Sequence, residues 1–187
     1  MIRQIPNALT VLRLVLVPFA LRAIWFREYD AALLLCAFAG ITDALDGFLA
    51  RRLHARTRFG AYLDPVADKI LLSGTYLVFG MNRVIPLWIT GLVFGRDLLI
   101  LLFAAFAFLF TPLREFHPTV WGKVSTIVQV CGALAVLVAG LVLTGTAASV
   151  FVAIALGAVV VATAWSAIHY VFVGVKMIRS PGLRTAN

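Results

Sequence analysis

Residues 43–68 read Asp43-Ala-Leu-Asp46-Gly47-Phe-Leu-Ala50-Arg51, then eight residues, then Gly60-Ala-Tyr-Leu-Asp64-Pro65-Val-Ala-Asp68. Four of the eight acidic residues of the chain lie in this stretch, and long apolar segments flank it. Carboxylates beside a membrane are costly unless something offsets their charge, so a cluster of four asks for bound cations. The stretch is the expected active site.

Working outward, the flanking apolar runs cover about residues 31–50 and 61–80, each long enough to cross a bilayer as a helix. Four more runs follow the same rule, at about 6–26, 85–110, 120–143 and 148–175. A hydrophobic content of 63% and a mean hydropathy of +1.03 exclude an ordinary soluble domain. The expectation is an all-α, polytopic integral membrane protein with six transmembrane helices. No internal repeat or long linker divides it, so residues 1–187 are read as a single membrane domain.

Basic residues outnumber acidic ones by 16 to 8, and most stand in short hydrophilic breaks rather than in one block. That pattern suits anionic lipid surfaces and phosphates and argues against a nucleic-acid partner. Arg51, Arg52, Arg56 and Arg58 fill the second break, Arg114 the fourth, and Lys176, Arg179 and Arg184 follow the last run. The odd-numbered breaks offer only Arg27 and Arg83, so both termini and the carboxylate stretch are expected on the cytoplasmic side. No cleavable signal or Arg- and Ser-rich transit peptide is read, which favours a prokaryotic source and a bacterial inner membrane. Cys36 and Cys131 sit in apolar runs without a ligand pattern and are read as small buried hydrophobes.

Some polar residues interrupt the runs. Asn7, Thr10 and Arg13 recur every three residues on one side of the first helix. Two readings stay open there: an interfacial helix whose Arg13 snorkels to headgroups, or a polar edge that helps hold a nucleotide. Arg96 and Asp97 lie mid-run, where neither can face lipid. Adjacent helical residues point about 100° apart, so each is expected to find its partner on another helix or in the site. Lys123 and Thr126 are three apart and could line one face, with snorkelling as the alternative for the lysine. His54 and His117 are read as solvated loop residues, and His169 as a helix–helix hydrogen-bonding group.

On a helix, Asp43, Asp46, Gly47 and Ala50 fall within an arc of roughly 100°. One face then carries two carboxylates and two small residues that admit a ligand close to the backbone. Asp64-Pro65 reads either as an N-cap followed by a first-turn proline or as a kink within a longer helix. Antiparallel packing of the second and third helices across their short loop would bring both carboxylate pairs together. Four clustered carboxylates cannot all stay ionised without cations. Oxygen ligands without Cys or clustered His select Mg²⁺ or Mn²⁺ over Zn²⁺. Such a site suits a pyrophosphate, and a carboxylate not fully engaged by metal could take the proton of an attacking hydroxyl. The bland alternative is an acidic cluster salt-bridged to Arg51, Arg52, Arg56 and Arg58.

The pattern Asp43-x2-Asp46-Gly47-x2-Ala50-Arg51-x8-Gly60-x3-Asp64-x3-Asp68 resembles the signature of the CDP-alcohol phosphatidyltransferase family at all of its eight fixed positions. The resemblance implies a six-helix membrane enzyme, usually dimeric, that moves a phosphatidyl group from CDP-diacylglycerol to an alcohol and releases CMP. It implies that Asp43, Asp46 and Asp64 bind two divalent ions, Mg²⁺ or Mn²⁺, and that Asp68 binds metal or serves as the catalytic base. Asp43, Asp46, Gly47, Ala50, Arg51 and Gly60 would sit at or near the CDP moiety, with Asn7 and Thr10 beside it.

Outside the signature, Ile5-Pro6-Asn7 with Thr10 and Arg13 resembles the opening of both the phosphatidylglycerophosphate synthases and the cardiolipin synthases of this fold. Gly95-Arg96-Asp97, Ser125 after Lys123, Trp165-Ser166 and His169-Tyr170 are more similar to the cardiolipin type. The expected acceptor is therefore phosphatidylglycerol, with glycerol 3-phosphate as the alternative. A phosphomonoester carries about two charges, and one lysine fewer would weaken its pocket. Arg96, Arg114 and Lys123 are the candidates for the acceptor phosphate in either case. An ion or proton transporter is the competing class, since intramembrane Asp and Arg also mark such pathways.

Overall fold

The computed structural model describes the backbone of residues 5–52, 58–110 and 120–179, and the side chains of residues 10–43, 45, 68–102 and 120–172. The described residues form six α-helices and no strand: α1 (Ile5–Trp25), α2 (Tyr29–Arg52), α3 (Arg58–Met81), α4 (Leu87–Phe110), α5 (Val120–Val142) and α6 (Gly145–Arg179). The chain is all-α, and each helix overlies one of the apolar runs. Among the described residues, α5 and the stretch 145–172 of α6 are long and apolar enough to cross a membrane by length and composition.

Helix α3 begins seven residues before Pro65, so the proline lies within the helix and does not open it. Of the two readings, the one that places Pro65 inside a longer helix holds, and Asp64 is not an N-cap.

Large apolar side chains stand exposed on every helix, among them Phe19, Leu34, Leu77, Leu98, Ile127 and Ile154. A water-facing monomer rarely carries apolar surface spread so widely. The interior is built from Ile24, Ala32, Tyr76, Phe79, Val93, Val136, Leu137 and Val159. Tyr76 shows why an aromatic with a polar tip suits this core: its ring packs edge-on to Phe79 and its hydroxyl donates to the Gln129 carbonyl at 2.9 Å. Gly132 lets α5 and α6 close on each other, because a Cβ there would run into Val159.

Helix α1 packs against α2 and α3, α3 against α4 and α5, and α6 against α4 and α5. Direct pairing of the second and third helices was the expectation. Among the described residues α1 instead mediates between them, packing closely on both. The cysteines also depart from expectation: Cys36 is half-buried and Cys131 is exposed. Gln129 and Gly132 take the inward positions on α5, which turns the intervening Cys131 outward.

Helices α1 and α3 end in the same way. After α1, Glu28 N–H donates to Ala23 O and Arg27 N–H to Ile24 O; after α3, Val84 N–H donates to Phe79 O and Arg83 N–H to Gly80 O. Both are Schellman caps, with Arg27 at φ 60° and Arg83 at φ 55° where glycine is usual. The left-handed conformation costs a non-glycine residue roughly 1–2 kcal/mol. At Arg27 a cross-tie offsets that cost. Its guanidinium donates to Asn82 O at 3.2 Å, while Asn82 Nδ2 donates to Trp25 O at 2.8 Å. Asn82→Ala is expected to destabilise the protein by about 1–2 kcal/mol, seen as a lower melting temperature in detergent. Unchanged melting would show that the Asn82 side-chain bond contributes nothing, since the Arg27 bond to the Asn82 backbone carbonyl survives the substitution.

Candidate functional site

Asp43 lies about three-fifths of the way along α2 and Asp68 about two-fifths of the way along α3, which runs back from the intervening loop. Between them stands Arg13 of α1. Its Nη1 lies 2.9 Å from Asp43 Oδ1 and 2.9 Å from Asp68 Oδ1. Arg13 is 1% exposed, whereas the two carboxylate side chains are 45% and 50% exposed. Two half-exposed carboxylates thus border one buried cation, and the site is open to solvent on the carboxylate side. Burying a guanidinium without partners would be prohibitive, and two charge-assisted bonds make it tolerable. Snorkelling is thus overturned: Arg13 turns inward because carboxylates on two neighbouring helices hold it there.

Thr10, one turn before Arg13, is also buried, so the polar side of α1 faces the bundle. Asp46 and Asp64 lie one helical turn from Asp43 and Asp68 on α2 and α3. The side chains of Asp46, Gly47, Ala50, Arg51, Gly60, Asp64 and Asn7 fall outside those described, as do Arg114, His54 and His117.

A second polar cluster begins at the next residue of α3. Lys69 Nζ lies 2.5 Å from Asp97 Oδ1, and the same oxygen accepts from Arg96 Nη1 at 2.7 Å. Ser73, one turn after Lys69, donates to Asp97 Oδ2 at 3.3 Å. Arg96 donates from Nη2 to Gly122 O at 2.8 Å and from Nε to Ser166 Oγ at 3.3 Å. One buried ionic knot therefore ties α3, α4, α5 and α6 together. Arg96 and Asp97, expected to be poorly placed to pair with each other, do pair: the three-methylene stem of arginine spans the angle between neighbouring positions. Each also has the partners on other helices that were expected.

Gly122 is fitted to this knot. Its carbonyl takes bonds from Arg96 and from the Thr126 hydroxyl, and a Cβ would stand 2.5 Å from the Tyr170 hydroxyl. The Thr126 hydroxyl is thereby turned onto its own helix, one turn from the exposed Lys123. Further along α5, Gln129 Nε2 donates to Thr163 Oγ1 at 3.0 Å. Ser125 Oγ, Gln129 Oε1 and His169 Nδ1 are buried without a hydrogen-bond partner among the described residues. The helix–helix bond expected of His169 is not made through Nδ1, and its ring instead meets Tyr170 edge-on. An apolar cleft lined by Tyr29, Trp88, Val136 and Leu143 opens at the other end of the bundle, away from the carboxylates.

Sequence reasoning named Arg13 without its partners and passed over Lys69. The signal for Lys69 was its place directly after Asp68 and one turn before Ser73, on a helix that has to enter an apolar bundle. Asp43 and Asp68 are half-exposed oxygen donors of the kind a divalent ion takes, and the Oδ1 of each is engaged by Arg13 Nη1. Among the described residues, which leave out the side chains of Asp46 and Asp64, no group of three or more His, Cys, Asp or Glu side chains comes together.

Comparison with known proteins bears on what such a cleft serves. A family model described as CDP-alcohol phosphatidyltransferase matches residues 3–175. The chain is 41% identical over 101 residues to a probable cardiolipin synthase (CMP-forming) of Drosophila melanogaster, covering 54% of this chain and 31% of that one. It is 38% identical over 131 residues to a CDP-diacylglycerol--glycerol-3-phosphate 3-phosphatidyltransferase of Aquifex aeolicus, covering 66% and 70%. An enzyme of the same name from Pseudomonas fluorescens is 44% identical over 105 residues, covering 52% of each chain. Of the Drosophila and Pseudomonas relatives, the match thus spans about a third and about half of the length.

Proposed function

The chain belongs to the CDP-alcohol phosphatidyltransferase family, and from that premise we propose that it moves the phosphatidyl group of CDP-diacylglycerol to the hydroxyl of a glycerol-type acceptor, releasing CMP. The observation that carries this reading to particular residues is the convergence of Asp43 and Asp68, from two helices, on one half-exposed cleft.

In this reading Asp43, Asp46, Asp64 and Asp68 hold Mg²⁺ or Mn²⁺. Two such ions, when bound, would neutralise the pyrophosphate and its leaving group. Asp68 accepts the proton of the acceptor hydroxyl as its oxygen attacks the phosphorus of the phosphatidyl group and the bond to CMP breaks. Gly47, Ala50, Arg51 and Gly60, with Asn7 and Thr10, border the CDP moiety. Asp43 and Asp68 lie in the halves of α2 and α3 nearer the basic loop, which supports a site on the cytoplasmic side in a six-span bacterial inner-membrane protein. Residues 1–187 would form a single membrane domain, working as a homodimer. The family match takes the place of the transporter alternative.

Two acceptors divide the supporting observations. Phosphatidylglycerol, giving cardiolipin, is favoured by the Arg96-Asp97 pair and by Ser125, which adds no cation beside Lys123. Glycerol 3-phosphate is favoured by the names of the Aquifex and Pseudomonas relatives. Of the phosphate candidates, Lys123 is exposed and available, while Arg96 is 3% exposed and would have to exchange internal partners. Arg114 lies outside the described residues.

Purified protein offered CDP-diacylglycerol with each acceptor separately, and products resolved by mass, tests the proposal. CMP release with cardiolipin as product is the expected result. Phosphatidylglycerophosphate without cardiolipin would reverse the acceptor, and no CMP release with either would overturn the reaction.

A further inference from the structure

The carboxylates of α2 and α3 are held to one nitrogen of one side chain. Asp43 Oδ1 and Asp68 Oδ1 both lie 2.9 Å from Arg13 Nη1, so the two oxygens can be no further apart than twice that distance. Among the described residues, α1 also packs more extensively on α2 and α3 than α5, the other helix that touches both. Its inward face is fixed by Thr10, Val17, Ala20 and Ile24, all buried. Arg13 therefore sits on a well-seated helix, and its guanidinium cannot move far without disturbing that packing.

We propose that Arg13 is a positioning residue of the carboxylate cleft: it sets Asp43 against Asp68 in the arrangement the transfer needs, and its charge limits how tightly the cleft holds a divalent cation. The inference rests on the reading of these carboxylates as metal ligands and base.

Two physical effects follow, and they have opposite signs. Positional order favours turnover, because misplacing a reacting group by about 1 Å can cost about a hundredfold in rate. Positive charge opposes cation binding. A neighbouring cation lowers the proton affinity of a carboxylate by about ten- to a thousandfold, and the same field acts on a divalent ion. A residue that merely held the fold together would weaken ion binding and turnover together when removed. Arg13 is expected to separate them.

The test uses purified full-length protein, with Mn²⁺ as the probe. Mn²⁺ binding is followed by electron paramagnetic resonance, and CMP release at saturating Mn²⁺ is measured in parallel, for wild type, Arg13→Gln and Arg13→Lys. Arg13→Gln should bind Mn²⁺ about tenfold more tightly and turn over about a hundredfold more slowly, with the loss in kcat rather than in KM for CDP-diacylglycerol. Arg13→Lys keeps the charge, so its Mn²⁺ affinity should stay near wild type while kcat recovers in part.

Equal or weaker Mn²⁺ binding by Arg13→Gln would overturn the charge role, and wild-type turnover would overturn the positioning role. Should the glutamine variant fail to fold, Arg13→Lys carries the test: unchanged melting with lowered kcat supports the proposal, and full kcat refutes it. Wild-type protein that neither binds Mn²⁺ nor needs it for CMP release would sink the metal reading itself. That failure is distinct from one confined to Arg13.

Discussion

Asp68→Asn should reduce CMP release by about 10³-fold while leaving the protein folded. The amide keeps the size and polarity of the side chain but cannot accept the acceptor's proton, and general-base contributions run at about 10²–10⁴. The substitution also removes a negative charge from the cleft where cations would be held. Because Asp68 is half-exposed and lies at the cleft, an uncharged replacement is readily solvated. The amide oxygen can still accept from Arg13, but the buried guanidinium then keeps only Asp43 of this carboxylate pair, so a lower melting temperature is expected beside the larger loss of rate. Asp43→Asn is expected to act in the same direction, through the loss of a ligand charge. Normal CMP release by Asp68→Asn, at any Mg²⁺ or Mn²⁺ concentration, would remove that residue from an essential role.

The largest loss of stability is expected at Arg96. Replacement by methionine preserves much of the stem volume but takes away the donors that Asp97, Ser166 and Gly122 receive. Asp97 would keep Lys69 and Ser73, yet it would remain a buried carboxylate short of one strong partner. Breaking a buried pair from one side typically costs about 3–5 kcal/mol. Arg96→Met should accordingly melt far below wild type in detergent. Exchanging both members, as Arg96→Met with Asp97→Leu, should recover part of that loss, because no uncompensated charge is then left between the two positions. A double variant as unstable as the sum of the single ones would show that the pair does not act as a unit. Cation and acceptor binding can be measured on the same proteins, which separates a damaged fold from a damaged phosphate contact.

The two clusters differ in what they ask of the sequence. Asp43, Asp46, Asp64 and Asp68 announce themselves because carboxylates are rare in an apolar chain and their spacing repeats the turn of a helix. Arg96 and Asp97 announce only that they need partners. Identifying Ser73, Gly122 and Ser166 as those partners requires knowing which helices are neighbours, and no local periodicity encodes that. Lys69 was passed over for a related reason: nothing in its own segment shows a partner for it, and the partner it takes, Asp97, lies on another helix.

Other departures have equally local causes. Pro65 was compatible with opening a helix or bending one, since proline is tolerated at a first turn and can be accommodated in a kink. Only the upstream turns from Arg58 decide between them. Arg27 and Arg83 were counted for topology, yet both also occupy left-handed cap positions that glycine would normally be expected to fill. Nothing about an arginine in a short break points to that conformation. At Arg27 its bond to the Asn82 carbonyl, on the turn after α3, supplies a reason.

By itself the sequence determined the all-α class, the position of the six helices, the carboxylate signature and, through it, the family. Each of these follows from spacing along one segment: runs of apolar residues, helical turns, and offsets between Asp, Gly and Ala. Tertiary structure decided that α1 mediates between α2 and α3, that Arg13 lies between Asp43 and Asp68, and that Arg96 and Asp97 belong to a four-helix knot. Those outcomes depend on which helix faces sum to the lowest cost of buried charge. That sum is taken over segments up to 70 residues apart, as between Arg96 and Ser166. A buried cation takes whichever carboxylates the packing brings near, and the packing is a property of the whole bundle.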